Sequence, residues 1–163
     1  MRQYGQLTAD EASSDEAVTS LVFRAAALLC AVPLSEVVET MRPLETRPLA
    51  GTPEFIRGVS VLRGVPTPVI DVGRLLTGTP AEIERYVVVH TERGPVALAT
   101  GPVLGVRATD AGPVRGHPAL LGGATRLIAG VGTLGSEPLL LLQSMRSVAD
   151  DVWQAAAAAG APS

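Results

Sequence analysis

The sequence has no lysine and no asparagine: all 13 of its basic residues are arginine. Without lysine there is no Schiff-base amine and no P-loop ammonium, and without asparagine there is no acceptor for N-glycosylation. Cysteine is almost missing as well. Cys30 stands alone, which excludes an internal disulfide and a multi-cysteine zinc site, and within an apolar run it reads as a small core hydrophobe rather than a nucleophile. The only histidines, His90 and His117, share no metal-ligand spacing, and zinc needs three or four converging ligands, so no metal is expected. No serine occupies a G-x-S-x-G elbow. Glu36 with Glu39, and Asp150 with Asp151, read as solvated helix faces. So thin an inventory weighs against an enzyme and implies no cofactor. Aromatic residues are 3% of the chain against 47% hydrophobic, so the core must be aliphatic. No apolar run reaches the roughly 18 residues of a membrane span, and the first residues lack the basic-then-apolar order of a signal peptide. The expected setting is the cytoplasm, without direct membrane insertion.

What is present points to short strands. At 163 residues the chain makes one domain, or two small lobes on one core. Its 17 glycines and 13 prolines suit strands joined by turns. Residues 1–18 read as a disordered acidic arm. Within residues 1–17 one arginine faces four acids, which carries the whole net charge of −3, and the balanced remainder offers no basic face to nucleic acid. Strands are expected at Ser20–Arg24, Leu28–Val32, Gly58–Leu62, Val65–Ile70, Tyr86–His90, Pro95–Ala99, Val103–Arg107, Leu127–Val131 and Leu139–Gln143. Hairpins are expected at Thr91–Gly94 and, with a II′-like turn, at Gly135-Ser136. A short helix is expected after Pro33, with Ser35 as N-cap and Leu34, Val37, Val38 and Met41 as its apolar positions. A helical turn capped by Asp71 is expected at Asp71–Leu76. The alanine-rich stretch at 150–160 predicts a C-terminal helix, placing helix and tail at 149–163. No internal repeat stands out. Gly130–Gly135 spells G-x-G-x-x-G, but a turn and a strand follow it rather than a helix, so the glycines read as aids to close strand crossing or bulging.

The stretch EFIRGVSVLRGVPTPVID, residues 54–71, sets arginine before glycine twice among β-branched runs. Burial suits the runs but not a guanidinium, which needs a partner or water. Gly64 provides a sharp reversal at which Arg63 could present its planar fork in a fixed direction, and Glu39 is the natural carboxylate for it.

Pro53–Val59, Leu62-Arg63-Gly64 and Pro68–Asp71 together resemble the signature of the CheW-like chemotaxis adaptors. LVFRAAALLCAVPLSEVVE resembles the family's opening strand pair and the helix ending in Val37-Val38-Glu39. VALATGPVLGV resembles its middle segment, though with Gly101 where an aspartate is common, and AGVGTLGSEPLLLL its closing hairpin. The resemblance spans about residues 19–148. It implies a mainly β fold: two small five-stranded SH3-like β-barrels packed over a shared aliphatic core, with short helices and a C-terminal helix. It also implies a non-enzymatic adaptor that couples chemoreceptors to a CheA-type histidine kinase. The implied partners are the regulatory domain of that kinase and the cytoplasmic tip of a chemoreceptor, in membrane-associated arrays. Arg63 and Glu39 match the family's paired arginine and glutamate, with Arg57, Gly58 and Gly64 beside them, and Val37, Val59 and Val103 are the apolar positions expected to contact an amphipathic helix. Other readings are a divergent pathway with only one of the two partners, a small-ligand sensor, and a small barrel enzyme using Glu39 or Asp71.

Overall fold

A computed structural model describes residues 17–109, 112–113 and 128–142. The strands are β1 (Val18–Ala25), β2 (Leu28–Pro33), β3 (Val37–Met41), β4 (Ile56–Leu62), β5 (Val65–Asp71), β6 (Arg85–Thr91), β7 (Gly94–Thr100), β8 (Val103–Thr109), β9 (Gly112–Pro113), β10 (Ile128–Leu134) and β11 (Glu137–Leu142). One helix, α1 (Val72–Thr77), follows β5. All nine expected strands are present with small shifts at their ends. The expected C-terminal helix and residues 1–16 of the expected arm lie outside the described residues, while Val18, expected in that arm, instead opens β1, where it pairs with Thr109.

The strands form two sheets, ordered β8-β1-β2-β11-β10-β9 and β3-β6-β7-β5-β4. Each closes on itself. In the second sheet β3 and β4 are the outer strands, and the chain leaving β3 returns to β4, where Arg47 and Val59 exchange both main-chain bonds at 2.8 and 2.9 Å. In the first sheet β8 and β9 are the outer strands, and β9 pairs with β10 at Gly130 and Val131. The architecture is that of two five-stranded barrels.

The core follows from period-two alternation in strands buried on both faces. Leu21, Phe23, Cys30 and Val32 of the first barrel meet Ile70, Val87, Val89, Val96 and Leu98 of the second in one aliphatic layer. The alternate residues point the other way. Val22, Leu29, Ala31 and Leu139 cluster in the first barrel, and Val69, Tyr86, Ala97 and Ala99 in the second. Tyr86 brings the one buried hydroxyl of the second cluster and spends it on closure: it bonds Thr46 Oγ1 (2.6 Å) and Ser60 Oγ (3.1 Å) and donates to the Leu44 carbonyl (3.1 Å).

The two barrels repeat one plan. β4-β5-β7-β6-β3 and β10-β11-β2-β1-β8 have the same order, each with one parallel pair, β5 with β7 and β11 with β2. Ile56-x-Gly58-Val59 and Ile128-x-Gly130-Val131 both shift register between isoleucine and glycine, and both hairpins set a proline one rung from the turn, Pro66 and Pro138. Val37 opposite Val89 matches Val103 opposite Phe23, and a further register shift follows in each. The glycines of the G-x-G-x-x-G stretch are thus a bulge and a turn. Gly135 takes φ 63, as the first position of a II′ turn requires.

One expected helix is absent. After Pro33 there is only a three-residue 3-10 turn, Leu34–Glu36, without a side-chain cap, and Val37-Val38-Glu39 lies on strand β3. Ser35 caps nothing, and Glu36 and Glu39 share no helix face. The β-branched Val37, Val38 and Thr40 favour a pleated strand, and β6 offers an open edge to pair with. Val37 then packs on the shared core and Met41 inside the barrel. The Asp71 cap does form: its Oδ1 accepts from Arg74 N at 3.0 Å, and Gly78 ends α1 in the left-handed conformation.

Candidate partner-docking surface

Leu62 pairs with Val65, so Arg63-Gly64 is a two-residue hairpin loop. Both residues take positive φ, 49° and 81°, as a type I′ turn demands. Glycine does this freely, whereas the left-handed region costs a residue with a Cβ about 1–2 kcal/mol. Arg63 is held there by its side chain. Nε donates to Glu39 Oε2 at 3.0 Å and Nη2 to Oε1 at 2.7 Å, a two-pronged guanidinium–carboxylate pair. These bonds hold the Glu39 carboxyl below the usual carboxylate range and raise Arg63.

The pair joins opposite edges of the sheet. Glu39 is on β3 and Arg63 on the tip beyond β4, so the ion pair straps the seam at one point and the Arg47–Val59 bridge straps it at another. Gly58 makes the second strap possible. A Cβ there, at φ 139, would stand 1.9 Å from the Arg47 carbonyl oxygen. Arg63 keeps a side chain 75% exposed while Glu39 is 27% exposed, so the carboxylate is the seated member and the guanidinium faces outward in a fixed direction.

Apolar surface surrounds this strap. Val61 is 61% exposed, and Val38, Val65 and Leu44 are also exposed. Between the chain leaving β3 and the outer face of β4 runs a groove of about 580 Å³, lined by Leu44, Glu45, Arg47, Leu49, Val59 and Val61. A fixed charge beside apolar contact area suits protein docking: the apolar part supplies affinity and the charge sets orientation.

The CheW-like domain model matches residues 19–152. The chain belongs to the CheW-like domain family. Its fold is similar to the crystal structure of the scaffolding protein TtCheW from Thermoanaerobacter tengcongensis, with a TM-score of 0.69 and 21% identity over 78% of this chain and 85% of that one. No curated protein matches the chain.

The positions marked by the CheW-like signature fall into five places. Glu39, Arg63 and Gly64 form the strap, and Gly58 lies against the Arg47 carbonyl beneath the second closure. Val59 lines the groove. Val37 and Val103 lie elsewhere: they occupy matching positions in the two barrels and pack against the shared core, so neither joins Val59 in the groove. Arg57 is exposed beside buried Asp71, with Nη1 3.9 Å from Oδ2. Asp71 is committed to the helix cap and to Arg57. The sequence reading missed the whole far wall of the groove, Leu44 to Leu49. Pro43 and Pro48 bracket an extended run there, but the run pairs at only one residue, and a single bridge has no periodic signature.

Proposed function

We propose that this chain is a non-enzymatic adaptor that couples chemoreceptors to a CheA-type histidine kinase in a bacterial chemosensory array. The observation that carries this reading is the Glu39–Arg63 strap beside an exposed apolar groove. The strap fixes an outward guanidinium, and the groove offers neutral contact area, which together suit a partner with apolar side chains and an acceptor for the arginine. Family membership supports the reading, and so does the description of TtCheW as a scaffolding protein. No helix among the described residues is long and apolar enough to cross a membrane, which fits an adaptor working in the cytoplasm on arrays whose receptors provide the membrane anchor.

The test is Arg63→Ala and Glu39→Ala, singly and together, measured for unfolding and for binding to the kinase regulatory domain and the receptor tip separately. We expect small changes in unfolding, since the pair is exposed. Affinity should fall by about tenfold or more for at least one partner, and the double variant should be little worse than either single one, because the two residues act together. Loss toward only one partner would identify an adaptor that uses this surface for that partner alone. Unchanged binding by all three variants to both partners would remove the docking role of the strap.

A further inference from the structure

The far wall of the groove has little strand structure of its own to hold it. Between Met41, where β3 ends, and Ile56, where β4 begins, its only ladder contact among the described residues is the Arg47–Val59 bridge. Leu44, Glu45, Arg47 and Leu49 nevertheless form one side of a groove of about 580 Å³. Main-chain carbonyls in such a run need partners from elsewhere.

Three hydroxyls supply them. Tyr86 on β6 and Ser60 on β4 are each 1% exposed and sit inside the second barrel, and Thr46 belongs to the wall itself. Their oxygens form a closed triangle: Thr46 Oγ1 lies 2.6 Å from Tyr86 Oη and 3.0 Å from Ser60 Oγ, which are 3.1 Å apart. Ser60 donates to the Glu45 carbonyl at 2.8 Å and Tyr86 to the Leu44 carbonyl at 3.1 Å. The remaining proton, on Thr46, has the triangle or the Leu44 carbonyl at 3.2 Å to go to, so all three are used. Apolar burial is non-directional, whereas these bonds turn two successive carbonyls into the barrel. The side chains of Leu44 and Glu45 are left on the groove side, with Leu44 41% exposed. Together with the two main-chain bonds of Arg47, the cluster pins the run from Leu44 to Arg47.

We propose that Tyr86, Ser60 and Thr46 are positioning residues for the docking groove: their hydroxyl cluster holds its far wall seated before a partner arrives. The proposal rests on the docking reading above and adds to it the device that sets the shape of the groove. A groove with a loose wall binds only while the wall is seated, so a wall seated about a tenth of the time weakens binding about tenfold. A seated wall also spares the complex the entropy of ordering it. Leu44, Leu49 and Val61 then meet the partner, and the hydroxyls act from behind them.

The experiment compares Thr46→Val, Thr46→Ser, Ser60→Ala and Val61→Glu with the wild-type full chain. A valine methyl in place of Thr46 Oγ1 would stand 2.6 Å from the Tyr86 oxygen, where carbon and oxygen keep about 3.3 Å, so it removes the bonds and pushes the wall outward. Thr46→Ser keeps the hydroxyl. One readout is amide hydrogen exchange at Arg47 and Val59, whose N–H groups make the bridge. The other is affinity for the kinase regulatory domain and the receptor tip separately. Thr46→Val and Ser60→Ala should raise exchange at those two amides about tenfold or more, while the paired Val87 and Leu98 of β6 and β7 stay protected and report an intact fold. Both should weaken binding about tenfold for at least one partner, and Thr46→Ser should match the wild type in both readouts. Val61→Glu sets a charge in the groove without touching the hydroxyls, and should weaken the same partner with exchange unchanged. Weaker binding by Val61→Glu alone would overturn the positioning role and leave the docking reading standing. Unchanged binding by Val61→Glu would remove docking at this groove, and the positioning role with it. Unchanged exchange in Thr46→Val and Ser60→Ala, or an equal loss from Thr46→Ser, would overturn the hydroxyl cluster as the cause.

Discussion

Replacing Gly58 by alanine tests the closure of the second barrel directly. The new Cβ would lie 1.9 Å from the Arg47 oxygen, 2.6 Å from its carbon and 2.8 Å from the Cα of Pro48. All three are backbone atoms, so no side chain can rotate away, and ordinary contact requires a displacement of more than 1 Å. Such a shift breaks both main-chain bonds between Arg47 and Val59. Two hydrogen bonds at about 0.5–1.5 kcal/mol each, plus about 1–3 kcal/mol for alanine at φ 139, give roughly 4 kcal/mol. Against a total stability of about 5–15 kcal/mol this is a large fraction. Gly64→Ala is the control. It also has positive φ but open space around its Cβ, so only the backbone cost of about 1–2 kcal/mol applies. Equilibrium unfolding in urea followed by circular dichroism should move the midpoint by about 2 M for Gly58→Ala and by less than half of that for Gly64→Ala. Equal shifts would refute the reasoning, because they would show that the Arg47 contact contributes nothing to closure.

Tyr86→Phe should destabilise the chain by about 1–3 kcal/mol in the same assay, since it removes a buried hydroxyl that bonds Thr46, Ser60 and the Leu44 carbonyl. Stability should decline with acid in part through Glu39 and Glu137, whose carboxyls Arg63 and Arg24 hold below their ordinary values. Their folded pKa is the lower one, so the stabilisation is full above the unfolded value near about 4.3 and is lost as pH falls through the folded one. A Glu39→Gln, Glu137→Gln double variant should show a shallower decline over that window, and an unchanged slope would mean that other groups carry it. Cys30 is buried and its thiol is pushed up to about 12, so it should resist thiol reagents at pH 8 until urea unfolds the chain. Rapid labelling of the native protein would contradict that burial.

Glu137 also shows how the barrels diverge. Its carboxylate takes both prongs of Arg24 at 2.5 and 2.8 Å, tying the β10–β11 turn to β1 within the sheet rather than across the seam. The main chain of Arg24 meanwhile holds Gly101 and Pro102, the link from the second barrel to the first. One residue thus anchors both a hairpin and the crossing between barrels. Arginine in a strand carries no local signal of either role, and the sequence reading did not single it out.

Local patterns were enough for the nine strands, the hairpins at Thr91–Gly94 and Gly135-Ser136, and the Asp71 cap, because each rests on residues a few positions apart. The aliphatic core was legible in composition, and the Glu39–Arg63 pair in the resemblance together with the geometry of an Arg-Gly turn. Tertiary structure decided the rest. Pro33–Met41 has helical spacing and strand-forming residues at once, and the open edge of β6 resolved the conflict, since pairing and burial outweigh a weak local preference. The repeat was hidden because the first barrel takes β1 and β2 from the start of the chain and β8 to β11 from its end. Its likeness to the second barrel lies in register, bulges and turns, which place unlike residues such as Glu39 and Gly105 at the same point in space. Strand pairing across a hundred residues sets that correspondence, and no local window of sequence contains it.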